Sequence, residues 1–254
     1  MDTLLDFNGK SVLITGAANG FGRGLAIAFA ERGANLILND IDADGLAATC
    51  QALPASTRYV SCVGDIAEEA LSQTLVQKGV SEFGQLDIAI NNAGIAHSMK
   101  PIHQLDAQTM QRQVDVNLNG VLFGMKYQLQ QMLTQGRGHI MNVASMAGLG
   151  GAPKGGAYAA VKHGVVGLTR TAAVEYAKAG IQVNAICPYF TQTNILKTDG
   201  LDSADSIARM SQGCPMKRIG RPEEIVSAMV LMLSPANTYM TGQAIAIDGG
   251  VSAW

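Results

Sequence analysis

The sequence predicts an α/β protein: a single Rossmann-like, doubly wound sheet of seven parallel strands flanked by helices. Three observations predict it. Short β-branched runs alternate along the whole chain with longer segments whose apolar residues recur at helical spacing. The runs are almost continuously apolar, as strands covered on both faces must be. No internal repeat, low-complexity tract or linker divides the 254 residues, so one domain over 1–254 absorbs them all. A sheet of this kind binds ligands beyond the carboxyl ends of its strands, near the switch in strand order. Function is therefore sought in the residues just after each predicted strand.

The first strand, Ser11–Thr15, runs into Thr15-Gly16-Ala17-Ala18-Asn19-Gly20-Phe21-Gly22 and a helix predicted over Gly22–Arg32, with Leu25 and Phe29 on one face. Glycines here let backbone approach a pyrophosphate, and a helix N-terminus favours its charge. The spacing is GxxxGxG, neither the GxGxxG fingerprint nor a Walker loop. A plain strand-to-helix turn would also use glycine.

The second strand, Asn35–Asn39, ends beside Asp40 and Ile41, before a helix over Ala43–Leu53. A carboxylate about 20 residues past the glycine loop can accept hydrogen bonds from an adenosine ribose diol and would repel a 2′-phosphate. No Arg or Lys stands at Asn19, Asn39 or Ile41, so NAD is favoured over NADP. The alternative use of Asp40 is as the cap of the following helix.

The third strand, Arg58–Cys62, leads to Asp65 and Ile66 and a helix over Glu68–Glu82. Asp65 could pair with an adenine amino group. The fourth, Leu86–Asn91, is followed by Asn91-Asn92-Ala93-Gly94, whose small residues leave room for a cofactor, and a long helix over Ala107–Leu133. The fifth, His139–Val143, reaches Ser145, and Tyr158 and Lys162 come next at the head of a helix over Tyr158–Lys178. Their i,i+4 spacing puts phenol and ammonium on one helical face. The sixth strand is Gln182–Ile186, and a helix over Pro222–Leu233 precedes the seventh, Gln243–Ile247.

Composition excludes several classes. Hydrophobic residues make up 48% and charged residues 15%, which argues for a large core and against disorder. A net charge of -2 and the lack of a Lys/Arg block speak against nucleic acid and anionic membranes. No apolar run approaches ~18 residues, so no bilayer span is expected. The start, Met1 to Asp6, is acidic where a targeting peptide would be basic, and Cys50, Cys62, Cys187 and Cys214 form no CxxC pair. A soluble cytoplasmic protein with reduced thiols and no metal is expected.

Taken together, TGAANGFG at Thr15–Gly22, NNAG at Asn91–Gly94, Asn117 within VDVNLNG, Ser145, YxxxK at Tyr158–Lys162 and the closing Ile247-Asp248-Gly249-Gly250 resemble the classical short-chain dehydrogenase/reductase family over essentially the whole chain. The resemblance implies a nicotinamide dinucleotide and a catalytic set of Asn117, Ser145, Tyr158 and Lys162. Tyr158 is the implied general acid/base. A free phenol titrates near ~10, and an adjacent Lys162 cation is expected to lower it. Lys162 is also implied to hold the nicotinamide ribose, Ser145 to bind the substrate oxygen, and Asn117 to hold a water relaying protons. Pro188, Thr191 and Thr193 match the family's carboxamide-binding loop. Tyr189 departs from the usual Gly there, which puts the loop path in question.

The substrate is expected among His97, Met146, Ala152, Tyr189 and Phe190, under a mobile lid at about 190–215 whose Thr198–Ser206 stretch reads as helix-breaking. These mostly apolar surroundings, without clustered Arg, favour a small neutral alcohol or ketone. The apolar helices and Trp254 suggest a homotetramer. Two further readings compete: an NADPH-dependent 3-oxoacyl carrier-protein reductase, and a non-enzymatic dinucleotide-binding scaffold. The first would want a basic docking surface, and the second an eroded Ser–Tyr–Lys set.

Overall fold

Apolar strands separated by amphipathic helices favour crossovers that lay each helix back on the sheet. The structure, a computed structural model that describes residues 3–254, builds this arrangement. Its strands are β1 (Ser11–Thr15), β2 (Asn35–Asp40), β3 (Tyr59–Val63), β4 (Ile88–Asn91), β5 (Gly138–Val143), β6 (Ile181–Pro188) and β7 (Ala244–Ile247). They form one seven-stranded sheet in the order β3-β2-β1-β4-β5-β6-β7, and every pairing is parallel. Strand order reverses between β1 and β4, which opens a crevice at their carboxyl ends.

The helices are α1 (Gly20–Ala30), α2 (Ala43–Gln51), α3 (Glu69–Phe83), α4 (Ala107–Gln113), α5 (Gly120–Gln135), α6 (Gly156–Tyr176), α7 (Ala204–Gly213) and α8 (Pro222–Met232). Successive strand residues point to opposite faces. Val12 and Ile14 accordingly join a core with Leu25, Phe29 and Met229 under α1 and α8. Leu13 faces the other core, with Leu75, Met125 and Val165 under α3, α5 and α6. No helix among the described residues is long and apolar enough to cross a membrane.

Two expectations need correction. The long helix over residues 107–133 is interrupted: a π-helical turn at Val114–Asn119 separates α4 from α5. Apolar spacing hides this, because a π turn widens the helix locally without reversing its direction. The stretch read as helix-breaking instead supplies the start of α7, where the Ser203 hydroxyl caps the helix by accepting from the Ser206 N–H. Polar residues favour helix N-termini for this reason, so the same composition serves as a start signal. The alternative cap role for Asp40 also falls, since Asp42 Oδ1 caps α2 by accepting from Gly45 N at 3.1 Å. Met1 and Asp2, which open the acidic N-terminal stretch, lie outside the described residues.

A buried chain of side chains crosses the second core. Asn91 on β4 exchanges bonds with Gln128 on α5 (3.1 and 2.8 Å) and donates to Asn142 Oδ1 on β5 at 2.8 Å. Asn142 Nδ2 in turn donates to Thr169 Oγ1 on α6 at 2.9 Å. Replacing Asn91 with Ala would strand the Gln128 amide and one Asn142 oxygen in the core. The variant is expected to lose about 2–4 kcal/mol, at roughly 1–3 per unsatisfied buried group. Thermal or urea unfolding checks this, and an unshifted midpoint counts against the network.

Candidate active site

The glycine loop is shaped by its own packing. Gly16 has φ +68°, and a Cβ there would lie 2.9 Å from Ala93 Cα; one on Gly22 would lie 1.9 Å from the Gly16 oxygen. Asn92 locks the loop to β4: its Nδ2 donates to the Thr15 and Gly16 carbonyls at 2.9 and 3.1 Å. Thr15 Oγ1 accepts from the Asn92 and Ala93 N–H groups. The Asn92 side chain thus shapes the cradle. Gly20, at φ +52°, opens α1, and Thr193 stands beside it. Asn19 and Phe21 flank this turn, and Asn19 makes no side-chain cap bond.

Asp40 is buried at the tip of β2. Its Oδ2 accepts from Ala18 N at 2.8 Å and its Oδ1 from Asp42 N at 3.0 Å. Each oxygen retains a further lone pair. Ile41 and Val63, 62% and 54% exposed, are apolar side chains left uncovered at neighbouring strand tips, as a flat ring ligand requires. Asp65 is engaged by the Ala67 N–H and by Arg112 Nη2, both at 3.0 Å. Burial alone would raise its carboxyl, but these bonds hold it below the usual carboxylate range. Ile66 is buried in the core beneath α5.

The four implied catalytic residues meet at the ends of β5 and α6. Ser145 Oγ accepts from Ala147 N at 3.1 Å and caps the 3-10 turn Met146–Gly148. Tyr158 stands in the first turn of α6 and Lys162 one turn on, its Nζ 5.5 Å from the phenol ring centroid. Lys162 is buried, and Nζ donates to the Val143 carbonyl at 2.7 Å. An ammonium has three donors, so two N–H bonds remain for a ligand that brings its own acceptors. A ribose diol fits that demand.

The electrostatics differ from expectation. Burial pushes Tyr158 up to about 12, opposed by its bond with the Ser145 hydroxyl, and pushes Lys162 down to about 8. Desolvation, which disfavours both charged forms, is the largest cause for each, and the expected lowering of the phenol by Lys162 is not seen. Tyr158 stays partly open to the cleft, so water tempers this penalty.

Asn117 is fully buried within the π turn. Its Oδ1 accepts from Ile95 N and its Nδ2 donates to Ile95 O, both at 2.9 Å, and also to Gln113 Oε1 at 2.6 Å. Ile95 and Gln113 carry no motif that would have singled them out. Asn117 thereby pins the loop holding Gly94 over Lys162, since a Cβ on Gly94 would come 2.7 Å from Asn117 Oδ1 and 3.7 Å from Lys162 Nζ.

Both ring nitrogens of His97 are engaged, Nδ1 with Ser98 O at 2.7 Å and Nε2 with the Tyr158 N–H at 3.4 Å. His97 therefore braces the start of α6 and offers no free ring nitrogen to a substrate. Met146 adjoins Ser145, and the Ala152 carbonyl accepts from Gly155 N ahead of α6. Pro188 pairs with Ile247 across β6 and β7, and Thr191 is buried, donating to the Tyr189 carbonyl at 3.0 Å. Tyr189 takes no positive φ, so the missing glycine leaves the loop unstrained. Phe190 packs with Leu196, Met210 and Ile219 in a small separate core. A cleft of about 820 Å³, lined in part by Gly20, Arg23, Thr193 and Lys197, opens between α1, α8 and the segment that follows β6.

The sequence family described as enoyl-(acyl carrier protein) reductase matches residues 16–252. A cis-4-hydroxycyclohexanecarboxylate dehydrogenase from Sinomonas cyclohexanicum is 38% identical, covering 97% of this chain and 98% of that protein. Levodione reductase superposes with a TM-score of 0.94 at 36% identity over 97% of this chain and 99% of that one. The chain belongs to the short-chain dehydrogenase/reductase family. A family member from Brucella melitensis, a 3-ketoacyl-(acyl-carrier-protein) reductase complexed with NADH, superposes with a TM-score of 0.90 at 32% identity, covering 97% and 99% of the two chains. Family members acting on hydroxyl and ketone groups thus surround this chain, and a nicotinamide dinucleotide is its cofactor class.

Gly94→Ala tests the crowding around Lys162. The added methyl must displace Asn117 or the Ile95 loop, and overpacking of this kind costs about 1–3 kcal/mol. Where that cost falls on the bound state, the variant is expected to bind dinucleotide about 5- to 150-fold more weakly, since 1.4 kcal/mol is about tenfold. Isothermal titration calorimetry with the dinucleotide checks it, and unchanged affinity speaks against the arrangement.

Proposed function

We propose that the chain is an NAD-dependent oxidoreductase that interconverts a secondary alcohol and a ketone, with Tyr158 as general acid/base. The observation that carries this reading is the buried Lys162, holding two unclaimed N–H bonds beside Tyr158 and Ser145 at the mouth of the glycine-loop crevice. The dinucleotide, when bound, supplies the hydride acceptor or donor. The protein orients the reactants and manages one proton.

In alcohol oxidation the Tyr158 phenolate accepts the hydroxyl proton as the carbinol hydrogen departs as hydride; in reduction the phenol returns that proton to the carbonyl oxygen. Ser145 Oγ already accepts from Ala147 N, and its O–H, which meets the Tyr158 hydroxyl in the ligand-free site, would turn to the substrate oxygen, where developing negative charge strengthens the bond. Lys162 holds the ribose hydroxyls. Both N–H bonds of the Asn117 amide are taken by Ile95 and Gln113, so a water at this residue could be held only through an acceptor.

Asp40, fixed by two backbone N–H groups, supports NAD over NADP. The Sinomonas relative is named for a hydroxyl carried on a cyclohexane ring. That name and the apolar surroundings support a neutral, ring-borne secondary alcohol as substrate. The Brucella neighbour favours a second reading, 3-oxoacyl carrier-protein reduction, which assay with an acyl carrier-protein substrate would separate. Leu122, Leu133 and Val174 are exposed apolar residues on α5 and α6 and support burial against further copies of the chain, as in a homotetramer.

Tyr158→Phe is expected to lower turnover by about 10²–10⁴-fold, the usual worth of a positioned acid/base. Its NAD affinity is expected to match wild type; substantial turnover in this variant would refute the assignment. Because burial holds the phenol near 12, the phenolate fraction grows throughout the alkaline range. Alcohol oxidation is therefore expected to accelerate from pH 7 to 10, while ketone reduction, whose phenol stays protonated over that interval, is expected to hold steady. An oxidation profile falling over that interval would sink Tyr158 as the base, and preference for NADP over NAD would defeat the role given to Asp40.

A further inference from the structure

Tyr189 stands where the family resemblance puts glycine, and its side chain is occupied in a specific way. The residue follows β6, and its N–H donates to the Ile247 carbonyl on β7 at 3.1 Å, so its backbone is fixed to the sheet. The phenol donates to the Met210 carbonyl at 3.3 Å. Met210 lies in the last turn of α7, where carbonyls lack intrahelical partners. The next N–H that could serve it, from Cys214, goes instead to the Ser211 carbonyl. The Tyr189 hydroxyl therefore adds a bond to a helix-end carbonyl that the Cys214 N–H does not serve.

Two contacts reinforce the same junction. The Tyr189 ring meets Phe190 edge-on, with centroids 4.9 Å apart, and Phe190 belongs to the small lid core with Leu196, Met210 and Ile219. A Cβ on Gly213 would stand 3.4 Å from the Tyr189 hydroxyl, so the end of α7 approaches the phenol closely. On its other side the Tyr189 carbonyl accepts from Thr191 Oγ1 at 3.0 Å, linking it to the loop proposed to hold the carboxamide.

We propose that Tyr189 is a positioning residue that docks the lid helix α7 onto the end of β6 through its hydroxyl, and so sets how the lid closes over substrate. The kinetic part of this inference rests on the dehydrogenase reading above; the docking part does not. The lid helix has an anchor that a glycine at this position could not supply.

Tyr189→Phe removes the hydroxyl and keeps the ring. Amide hydrogen exchange of the ligand-free protein is expected to quicken about 5–10-fold over residues 204–213, the worth of one ordinary hydrogen bond, with β6 and β7 unchanged. KM for substrate is expected to rise by a similar factor while kcat holds or increases, because a looser lid opens more readily. Tyr189→Gly is expected to enlarge both effects. Wild-type exchange over 204–213 in Tyr189→Phe overturns the docking role, whatever the enzyme turns over. Faster exchange with an unaltered KM overturns the positioning role and leaves only a structural one. A protein with no dehydrogenase activity but with the altered exchange would count against the function and not against the docking.

Discussion

Everything placed at the carboxyl ends of the sheet depends on a line of side-chain amides buried beneath it. Asn91, Gln128, Asn142 and Thr169 join β4, α5, β5 and α6 through hydrogen bonds of 2.8 to 3.1 Å. Apolar packing alone tolerates sliding, because one methyl group resembles another. Amides buried without water do not tolerate it, since a shifted register would leave donors and acceptors unpaired. Each anchor lies close in sequence to a residue of the site: Asn91 next to Asn92 and Gly94, Asn142 next to the Val143 carbonyl that receives Lys162, and Thr169 two turns beyond Lys162. The network fixes the relative heights of β5 and α6, and the spacing of Ser145, Tyr158 and Lys162 results from that.

The same exclusion of water governs the chemistry. Tyr158 is driven up to about 12 and Lys162 down to about 8, so the ligand-free site resists charge on both groups. A lysine poised near neutrality can be held charged by modest contributions, and the Val143 carbonyl is one of them. Ligand hydroxyls at its two remaining N–H bonds would be another. The proposed proton transfer is then tuned by what enters the cleft more than by the Tyr158–Lys162 pair alone.

The strand ends were legible in the sequence because β-branched runs bounded by Gly, Asn and Asp have few other uses. All seven predicted strands appear within about two residues of their observed limits, well inside the boundary error usual for such readings. The π turn was not legible: Val114–Asn119 keeps helical apolar spacing, and only Asn117's bonds to Ile95 reveal that it faces the Gly94 loop. Asn92 reads in the sequence only as part of the stretch beside an expected cofactor, and the bonds of its amide to the glycine loop have no signal there. The start of α7 was misread because serines and aspartates both break helices and begin them, and position alone separates the two roles. Trp254 is 85% exposed with Lys217 Nζ 5.7 Å from its ring, so nothing within one chain covers it.

Asp40 shows how a single carboxylate can carry selectivity without any contact between side chains. Its two oxygens are held by the N–H groups of Ala18 and Asp42, one from the glycine loop and one from the turn into α2. Hydrogen bonds donated by these backbone groups fix the direction of the carboxylate. A ribose diol can donate to the lone pairs that remain. A phosphate ester at the 2′ position has no proton to donate at neutral pH and brings a second negative charge to a carboxylate that cannot retreat. With no Arg or Lys at Asn19, Asn39 or Ile41 to offset that repulsion, the proposed preference for NAD would come from refusing one ligand as much as from binding the other.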